Sequence, residues 1–195
     1  MTADSDVHLL AALGSRSLVL VGMMGAGKSS IGRKLAQRLN LPFVDADAEI
    51  ERVAGGMSIS DIFAKHGEPY FRAGEARVIA RLLDGGPQVM ATGGGAFMHP
   101  QSREAIRDKG ISIWLKAEYD VLLKRIKRRS DRPMLKTEDP AETLRRLMQE
   151  RDPVYAEADI IVHSRDVPHE IIIAEIIGAL ALRLGTPVST GAHAS

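Results

Sequence analysis

The stretch Val21-Gly-Met-Met-Gly-Ala-Gly-Lys-Ser29 follows the apolar run Leu18–Val21 and precedes a segment whose apolar residues have helical spacing. Its last eight residues satisfy the pattern G-x-x-x-x-G-K-[ST]. In this pattern, glycines let backbone N–H groups point at phosphate oxygens, the lysine reaches the β- and γ-phosphates, and the serine can hold Mg²⁺. The dinucleotide pattern G-x-G-x-x-G fails, because Ser30 occupies the place of the third glycine. The stretch therefore predicts a phosphate-binding loop between a strand and a helix, with a structural glycine turn as the alternative.

The composition is that of one ordinary globular domain: 195 residues, 45% hydrophobic and 26% charged. The net charge of +1 gives no basic field for non-specific nucleic-acid binding. The chain has no cysteine, which excludes disulfides and suits a cytoplasmic protein. We expect no membrane span, since the most apolar segment, Ile171–Leu182, is short and interrupted by Glu175.

Apolar runs alternate with segments of helical periodicity along the chain. The five runs are Leu18–Val21, Phe43–Val44, Val89–Ala91, Ile111–Leu115 and Ile160–Val162. Strands separated by helices predict βαβ units, and hence an α/β fold with a parallel sheet and helices on both faces. Such a sheet binds its ligand at the carboxyl ends of the strands, and each unusual polar cluster follows a predicted strand.

Two aspartates follow the second predicted strand, in Asp45-Ala-Asp47. Many phosphate-loop proteins end a strand with an aspartate that helps to hold Mg²⁺, but the third predicted strand here ends in Thr92. One of the two aspartates could hold Mg²⁺ through water while the other accepts the proton of an attacking hydroxyl. A helix cap for the segment Ala48–Val53 is an equally open role for Asp47.

The remaining candidates have structural interpretations that, taken singly, are favoured. Gly93–Gly95 fits a strand-to-helix turn, although three glycines would also let a substrate bond to the backbone. Arg72 and Arg151 would by default be solvated or ion-paired surface arginines. The basic stretch Lys124–Arg132 fits a solvated helix face, or a lid that brings arginines onto phosphates.

Taken together, these motifs resemble shikimate kinase in their spacing and order, from about Ser17 to Leu184. The motifs that carry the resemblance are Asp45-x-Asp47, Phe71-Arg72, Gly93-Gly-Gly95, Arg132-Pro-Met-Leu135 and Arg151-x-Pro-x-Tyr155. The resemblance implies a nucleoside-monophosphate-kinase-like phosphate-loop fold with a five-stranded parallel sheet and a mobile lid. It also makes functional roles for Arg72 and Arg151 the favoured ones.

The resemblance implies a shikimate kinase: transfer of the γ-phosphoryl group of ATP to the 3-hydroxyl of shikimate, on the route to chorismate and aromatic amino acids. Asp47 would be the base, and Lys28 and Arg132 would neutralise charge on the transferring group. ATP would be held by Arg125, Arg132 and the loop residues Gly25, Ala26, Gly27, Lys28, Ser29 and Ser30. Ser29 and Asp45 would hold Mg²⁺. Shikimate would be bound by Asp47, Phe63, Phe71, Arg72, Gly93, Gly94, Gly95, Arg132 and Arg151.

The resemblance also suggests how the chain is divided. Residues 1–16 would be an N-terminal extension, 17–184 the kinase domain and 185–195 a loose tail. Within the domain, residues 47–83 would form the substrate-binding helices and 125–139 the lid. We expect a monomer whose partner is a small molecule, with neither nucleic acid nor a membrane involved.

Two rival functions remain open at this point. Another small-molecule kinase, for example one acting on gluconate, would share the phosphate loop, although Asp45-x-Asp47 with Gly93–Gly95 favours shikimate. A regulatory module that binds nucleotide without turnover would share the fold.

Overall fold

A computed structural model describes residues 3–127 and 139–186. The strands are β1 (Ser17–Val21), β2 (Phe43–Asp45), β3 (Val89–Ala91), β4 (Gly110–Lys116) and β5 (Ile160–His163). The helices are α1 (Ala3–Leu13), α2 (Lys28–Leu39), α3 (Ala46–Val53), α4 (Ile59–Leu83), α5 (Pro100–Lys109), α6 (Tyr119–Lys127), α7 (Pro140–Tyr155) and α8 (His169–Leu184).

The five strands form one parallel sheet in the order β2-β3-β1-β4-β5, so the predicted α/β fold is confirmed. Strand β1 lies at the centre, and all five of its residues are buried. Its neighbours are β3 on one side and β4 on the other, so the chain changes direction across the sheet beside β1. In an open parallel sheet this switch point opens a crevice at the carboxyl ends of the strands, which is where β1 runs into the glycine loop.

The helix boundaries follow the capping residues in the sequence. Ser58 accepts a hydrogen bond from the backbone N–H of Asp61 at the start of α4, and Asp139 accepts from the first turn of α7. Sequence periodicity predicts two helices over 61–66 and 69–83, and α4 contains both. They are separated by Gly67, whose φ of 81° and ψ of 169° break the helical path.

The N-terminal helix α1 has no counterpart in the sequence prediction. Leu9 and Leu13 are buried and belong to the main hydrophobic core, and α1 packs against α8. Asp6 forms an ion pair with Arg38 of α2. Burial of two leucines contributes roughly 3–6 kcal/mol before the entropy of ordering the helix is subtracted, so α1 completes the core of the domain.

Helices α3 and α4 form a second, smaller core around Ile50, Ile62 and Phe71, separate from the main one. They belong to the segment 47–83 that the resemblance marks as substrate-binding. Among residues 3–127 and 139–186, no helix combines the length and the apolar character that a membrane span needs.

Candidate active site

The glycine loop after β1 has the backbone conformation that a phosphate cradle needs. Gly22, Gly25 and Gly27 have φ values of 132°, 84° and 94°, a region that residues with a Cβ rarely adopt. A Cβ on Gly22 would also lie 2.8 Å from the carbonyl oxygen of Leu115. Gly27 is the N-cap of α2 and has no side chain to cover the first turn, so the helix N-terminus faces the cavity described below.

Lys28 is held across this loop. Its Nζ donates hydrogen bonds to the carbonyl oxygens of Gly22 at 2.7 Å and Met23 at 2.9 Å, and the residue is only 8% exposed. A buried ammonium needs such acceptors. The two bonds place a positive charge beside the N-terminus of α2, where both attract phosphate oxygens.

The hydroxyl of Ser29 donates a 2.7 Å hydrogen bond to Oδ2 of Asp45, so the loop and the end of β2 meet at this pair. Oδ1 of Asp45 accepts a bond of 3.1 Å from the N–H of Asp47, which makes Asp45 the N-cap of α3. The alternative that Asp47 caps this helix is therefore wrong. Asp47 lies in the first turn of α3, so this helix and not β2 orients its carboxylate.

Each glycine of the triplet after β3 leaves space for a different neighbour. A Cβ on Gly93 would lie 2.6 Å from Oδ1 of Asp47, and one on Gly94 would lie 3.2 Å from the backbone nitrogen of Met24. A Cβ on Gly95 would overlap the guanidinium of Arg72. None of the three has a positive φ, so the need for glycine is steric. A simple strand-to-helix turn does not explain three glycines, whereas close approach to these groups does.

Arg72 points from α4 into this cluster. Its Nη1 donates a 2.7 Å hydrogen bond to Oε2 of Glu75, one helical turn away, and its side chain is 14% exposed. The guanidinium carbon lies 5.1 Å from the centre of the Phe71 ring and 5.8 Å from that of Phe63. The two rings are 4.5 Å apart, so they form an apolar wall beside a fixed positive charge.

Arg151 reaches the same place from α7. It is 7% exposed, and its Nη1 donates a 2.9 Å hydrogen bond to the carbonyl oxygen of Gly94. The hydroxyl of Tyr155 donates to the same oxygen, and burial raises the pKa of that hydroxyl. A solvated position for Arg151 is therefore wrong: two guanidinium groups from different helices converge on the glycine triplet.

Glu75 is a member of the cluster that the sequence analysis missed. It is 1% exposed, and burial raises the pKa of its carboxyl group, while the charge and hydrogen bond of Arg72 act in the opposite direction. The charge of Asp47 raises that pKa further. The sequence does contain a signal, because Arg72 and Glu75 are three residues apart on a helix, a spacing that pairs opposite charges.

Arg125 and Ser164 lie on the opposite side of the glycine loop. Arg125 donates to the carbonyl oxygens of Gly25 and Arg165 and to the hydroxyl of Ser164. The buried Ser164 hydroxyl in turn donates a 2.8 Å hydrogen bond to the carbonyl oxygen of Ala26. Ser164 was also missed by the sequence analysis, because a lone serine after an edge strand carries no pattern.

One cavity of about 420 Å³ extends along the glycine loop from Arg125 to Asp47 and Gly94, and the side chains of Arg72 and Arg151 do not line it. Its walls include Lys28, Ser29 and Ser30 from the loop, Arg125 and Ser164 at one end, and Asp47 and Gly94 at the other. The phosphate loop and Asp47 therefore border the same space. Arg132, a predicted site residue, lies outside the residues that the structure describes.

Known proteins similar to the chain point to one family. The shikimate kinase family model matches residues 24–181. A shikimate kinase from Rhodopseudomonas palustris is 63% identical over 178 residues, which cover 91% of this chain and 87% of that protein. One from Bradyrhizobium diazoefficiens is 60% identical, with 93% of this chain and 87% of that protein covered.

The structural comparison agrees with the sequence comparison. The structure of shikimate kinase from Acinetobacter baumannii in complex with shikimate matches with a TM-score of 0.81 and 38% identity. The match covers 88% of this chain and 94% of that one.

Proposed function

The chain belongs to the shikimate kinase family, and from this premise we propose that it transfers the γ-phosphoryl group of ATP to the 3-hydroxyl of shikimate. It is an ATP-dependent phosphotransferase with an alcohol acceptor, acting on the route to chorismate and aromatic amino acids. The observation that carries the proposal is the shared cavity, in which Asp47 and Gly94 line the same space as Lys28 and Ser29.

The acceptor end is suited to a carboxylated ring. Arg72 and Arg151 would bind the carboxylate, because a planar guanidinium can form two parallel hydrogen bonds with it. Glu75 accepts a hydrogen bond from Nη1 of Arg72, and the half-exposed Glu68 accepts from Nε and Nη2. The substrate carboxylate would take the place of Glu68 on that outer edge of the guanidinium. The rings of Phe63 and Phe71 would form the apolar wall, and the backbone of Gly93, Gly94 and Gly95 would contact the ring hydroxyls.

Asp47 is the proposed general base. Its Oδ1 lies against Gly93, and the residue lines the same cavity as the phosphate loop. A carboxylate there would accept the proton of the 3-hydroxyl as its oxygen attacks the γ-phosphorus. The bond between that phosphorus and the β–γ bridging oxygen breaks, and ADP leaves. The clamp on the substrate carboxylate aligns the hydroxyl with the phosphate, which supplies much of the rate enhancement in such reactions.

We propose that Ser29 and Asp45 hold Mg²⁺, which would neutralise charge on the β- and γ-phosphates when bound. The 2.7 Å contact between the serine hydroxyl and the aspartate carboxylate supports this, since it places two hard oxygen ligands together at the mouth of the loop. Gly25, Ala26, Gly27, Lys28 and Ser30 would bind the phosphates.

Arg125 would stack on the adenine, supported by its fixed position at the far end of the cavity. Arg132, outside the described residues, would stabilise charge on the transferring group. We also propose that residues 17–184 form the kinase domain, with residues 1–16 as an extension that packs on it through α1 and residues 185–195 as a tail. We further propose a cytoplasmic monomer with no nucleic-acid or membrane partner. The near-neutral net charge of +1 is consistent with the absence of nucleic-acid and membrane partners.

The test is ADP release by the purified protein with Mg-ATP, with shikimate, gluconate or no acceptor added, followed by the mass of the product. Release only with shikimate, and a product heavier by one phosphoryl group, is the expected result. Release with gluconate alone would replace the acceptor assignment. Nucleotide binding with no release would favour the regulatory alternative.

A further inference from the structure

A second cavity, of about 360 Å³, lies between α3 and α4 and shares no lining residue with the first. Its ten lining residues come from α3, the C-cap of α3 and α4. Apart from Gly74, Arg77 and Arg81 they are apolar or aromatic. We call this cavity the α3–α4 groove. Its volume is within the range of sites that hold small organic molecules.

Gly74 leaves the floor of this groove open. Glycine in the middle of a helix is less favourable than alanine, so an unforced glycine there has a cost to stability. A Cβ on Gly74 would meet only Nη2 of Arg77, at 4.0 Å, and its φ is not positive. Gly32 of α2 is different, since a Cβ there would lie 2.7 Å from the ring of Phe43. Packing therefore requires Gly32 but not Gly74, and a side chain larger than that of alanine at position 74 would extend into the groove.

Arg77 gives the groove its charge. It is exposed, and no described carboxylate lies within ion-pair distance of its guanidinium. Arg81, one turn further along α4, is paired with Glu49. The lining contains two arginines and no acidic residue, so the complementary ligand carries a negative charge.

The rest of the groove is suited to an apolar ring. Val53 is 50% exposed and Tyr70 is 56% exposed, and both line the groove. Tyr70 stacks on His66, one helical turn away, with 4.5 Å between ring centres. A flat ring placed over Gly74 would cover both Val53 and Tyr70 while an attached carboxylate reached Arg77.

We propose that the α3–α4 groove binds a small arylcarboxylate, with its ring over Gly74 between Val53 and Tyr70 and its carboxylate on Arg77. The binding does not depend on kinase activity. Phe71 lines the groove and also packs against Phe63 and Arg72, so the two sites lie on opposite sides of one aromatic residue. The groove ligand and shikimate would therefore bind at the same time.

The test is calorimetric titration of the full chain with 3-phenylpropanoate, in the presence of saturating shikimate so that Arg72 and Arg151 are occupied. We expect saturable binding with a Kd on the order of 1 mM, as a ligand of this size allows. Arg77→Gln should raise the Kd at least about fivefold through loss of a charge-assisted hydrogen bond. The uncharged 3-phenylpropan-1-ol should bind wild type and Arg77→Gln equally.

Two matched controls locate the ligand. Gly74→Leu fills the groove with a good helix former and should abolish binding, whereas Gly74→Ala should preserve it. Arg107→Gln removes an exposed arginine of α5, outside the groove, and should leave the Kd unchanged. If Gly74→Leu does not fold, nuclear Overhauser contacts from the ligand ring to Val53 and Tyr70 replace it.

Three results would overturn the proposal. One is the absence of saturable binding up to about ten times the expected Kd. The second is binding that either Gly74→Leu or Arg77→Gln leaves intact. Where the nuclear Overhauser contacts replace Gly74→Leu, a ligand ring with no contact to Val53 or Tyr70 is the equivalent result. The third is binding that shikimate abolishes by competition, because the ligand would then occupy the acceptor pocket.

Discussion

Gly93→Ala tests whether the glycine triplet positions the proposed base. The new Cβ would lie 2.6 Å from Oδ1 of Asp47 and 3.0 Å from Oε1 of Glu75, where ordinary contact begins at 3.4 Å. The Asp47 carboxylate must therefore move by about 0.8 Å or rotate away. Both atoms are the ends of side chains, so the fold can adapt at little cost. A displacement near 1 Å in a reacting group lowers the rate by about a hundredfold.

The assay is steady-state ADP release with shikimate, together with thermal unfolding. We expect kcat to fall by about a hundredfold, with Tm shifted by only a few degrees. Gly178→Ala is the matched control, because a Cβ at this helical position meets no other group within 4 Å. It should keep wild-type kcat. A Gly93→Ala enzyme with kcat within threefold of wild type would refute the reasoning that Gly93 sets the position of Asp47.

Three further variants test other parts of the site. Lys28→Ala should lower kcat by about a thousandfold or more, because it removes the positive charge that would stabilise the transferring phosphoryl group in the transition state. The circular dichroism spectrum should be unchanged, and near-normal turnover would contradict this role for Lys28. Ser164→Ala should raise the KM for ATP about tenfold, because Arg125 and the Ala26 carbonyl each lose a hydrogen-bond partner. The KM for shikimate should stay unchanged, and an equal rise in both KM values would argue against a nucleotide role for Ser164. Burial raises the pKa of the Glu75 carboxyl above its usual 4.5, so the folded chain keeps this proton to higher pH than the unfolded chain does. The free energy of unfolding therefore falls as the pH rises from about 4.5 through the pKa of Glu75 in the folded chain. In urea titrations, Glu75→Gln should reduce the slope of the unfolding free energy against pH over this range. An unchanged slope would show that another group causes the pH dependence.

Local signals made most of the fold predictable. The five strands are short apolar runs separated by helical periodicity, and Ser58 and Asp139 mark helix starts with their own side chains. The kink at Gly67 was also predictable as a break between two periodic segments. Helix α1 was missed because its support comes from packing on α8, a contact that the local pattern does not contain.

The candidate site was predictable only where several motifs coincide. The phosphate loop has a fixed pattern, but Arg72 and Arg151 look like ordinary surface arginines until the fold brings both to the glycine triplet. Glu75 and Ser164 were missed for a related reason. The role of Ser164 depends on a buried hydrogen bond between elements distant in sequence, which no local pattern specifies. The spacing of Arg72 and Glu75 indicates their ion pair, but it does not indicate that the pair is buried beside the glycine triplet.

The central claim is that Asp47 takes the proton of the acceptor hydroxyl while the arginines hold the carboxylate. The most direct measurement compares Asp47→Asn with wild type, using calorimetry for shikimate affinity and single-turnover product formation for the rate. The account predicts shikimate binding within about tenfold of wild type and a rate lowered by about a thousandfold or more. An unchanged rate, or a loss of shikimate binding large enough to explain the lost rate, would contradict it.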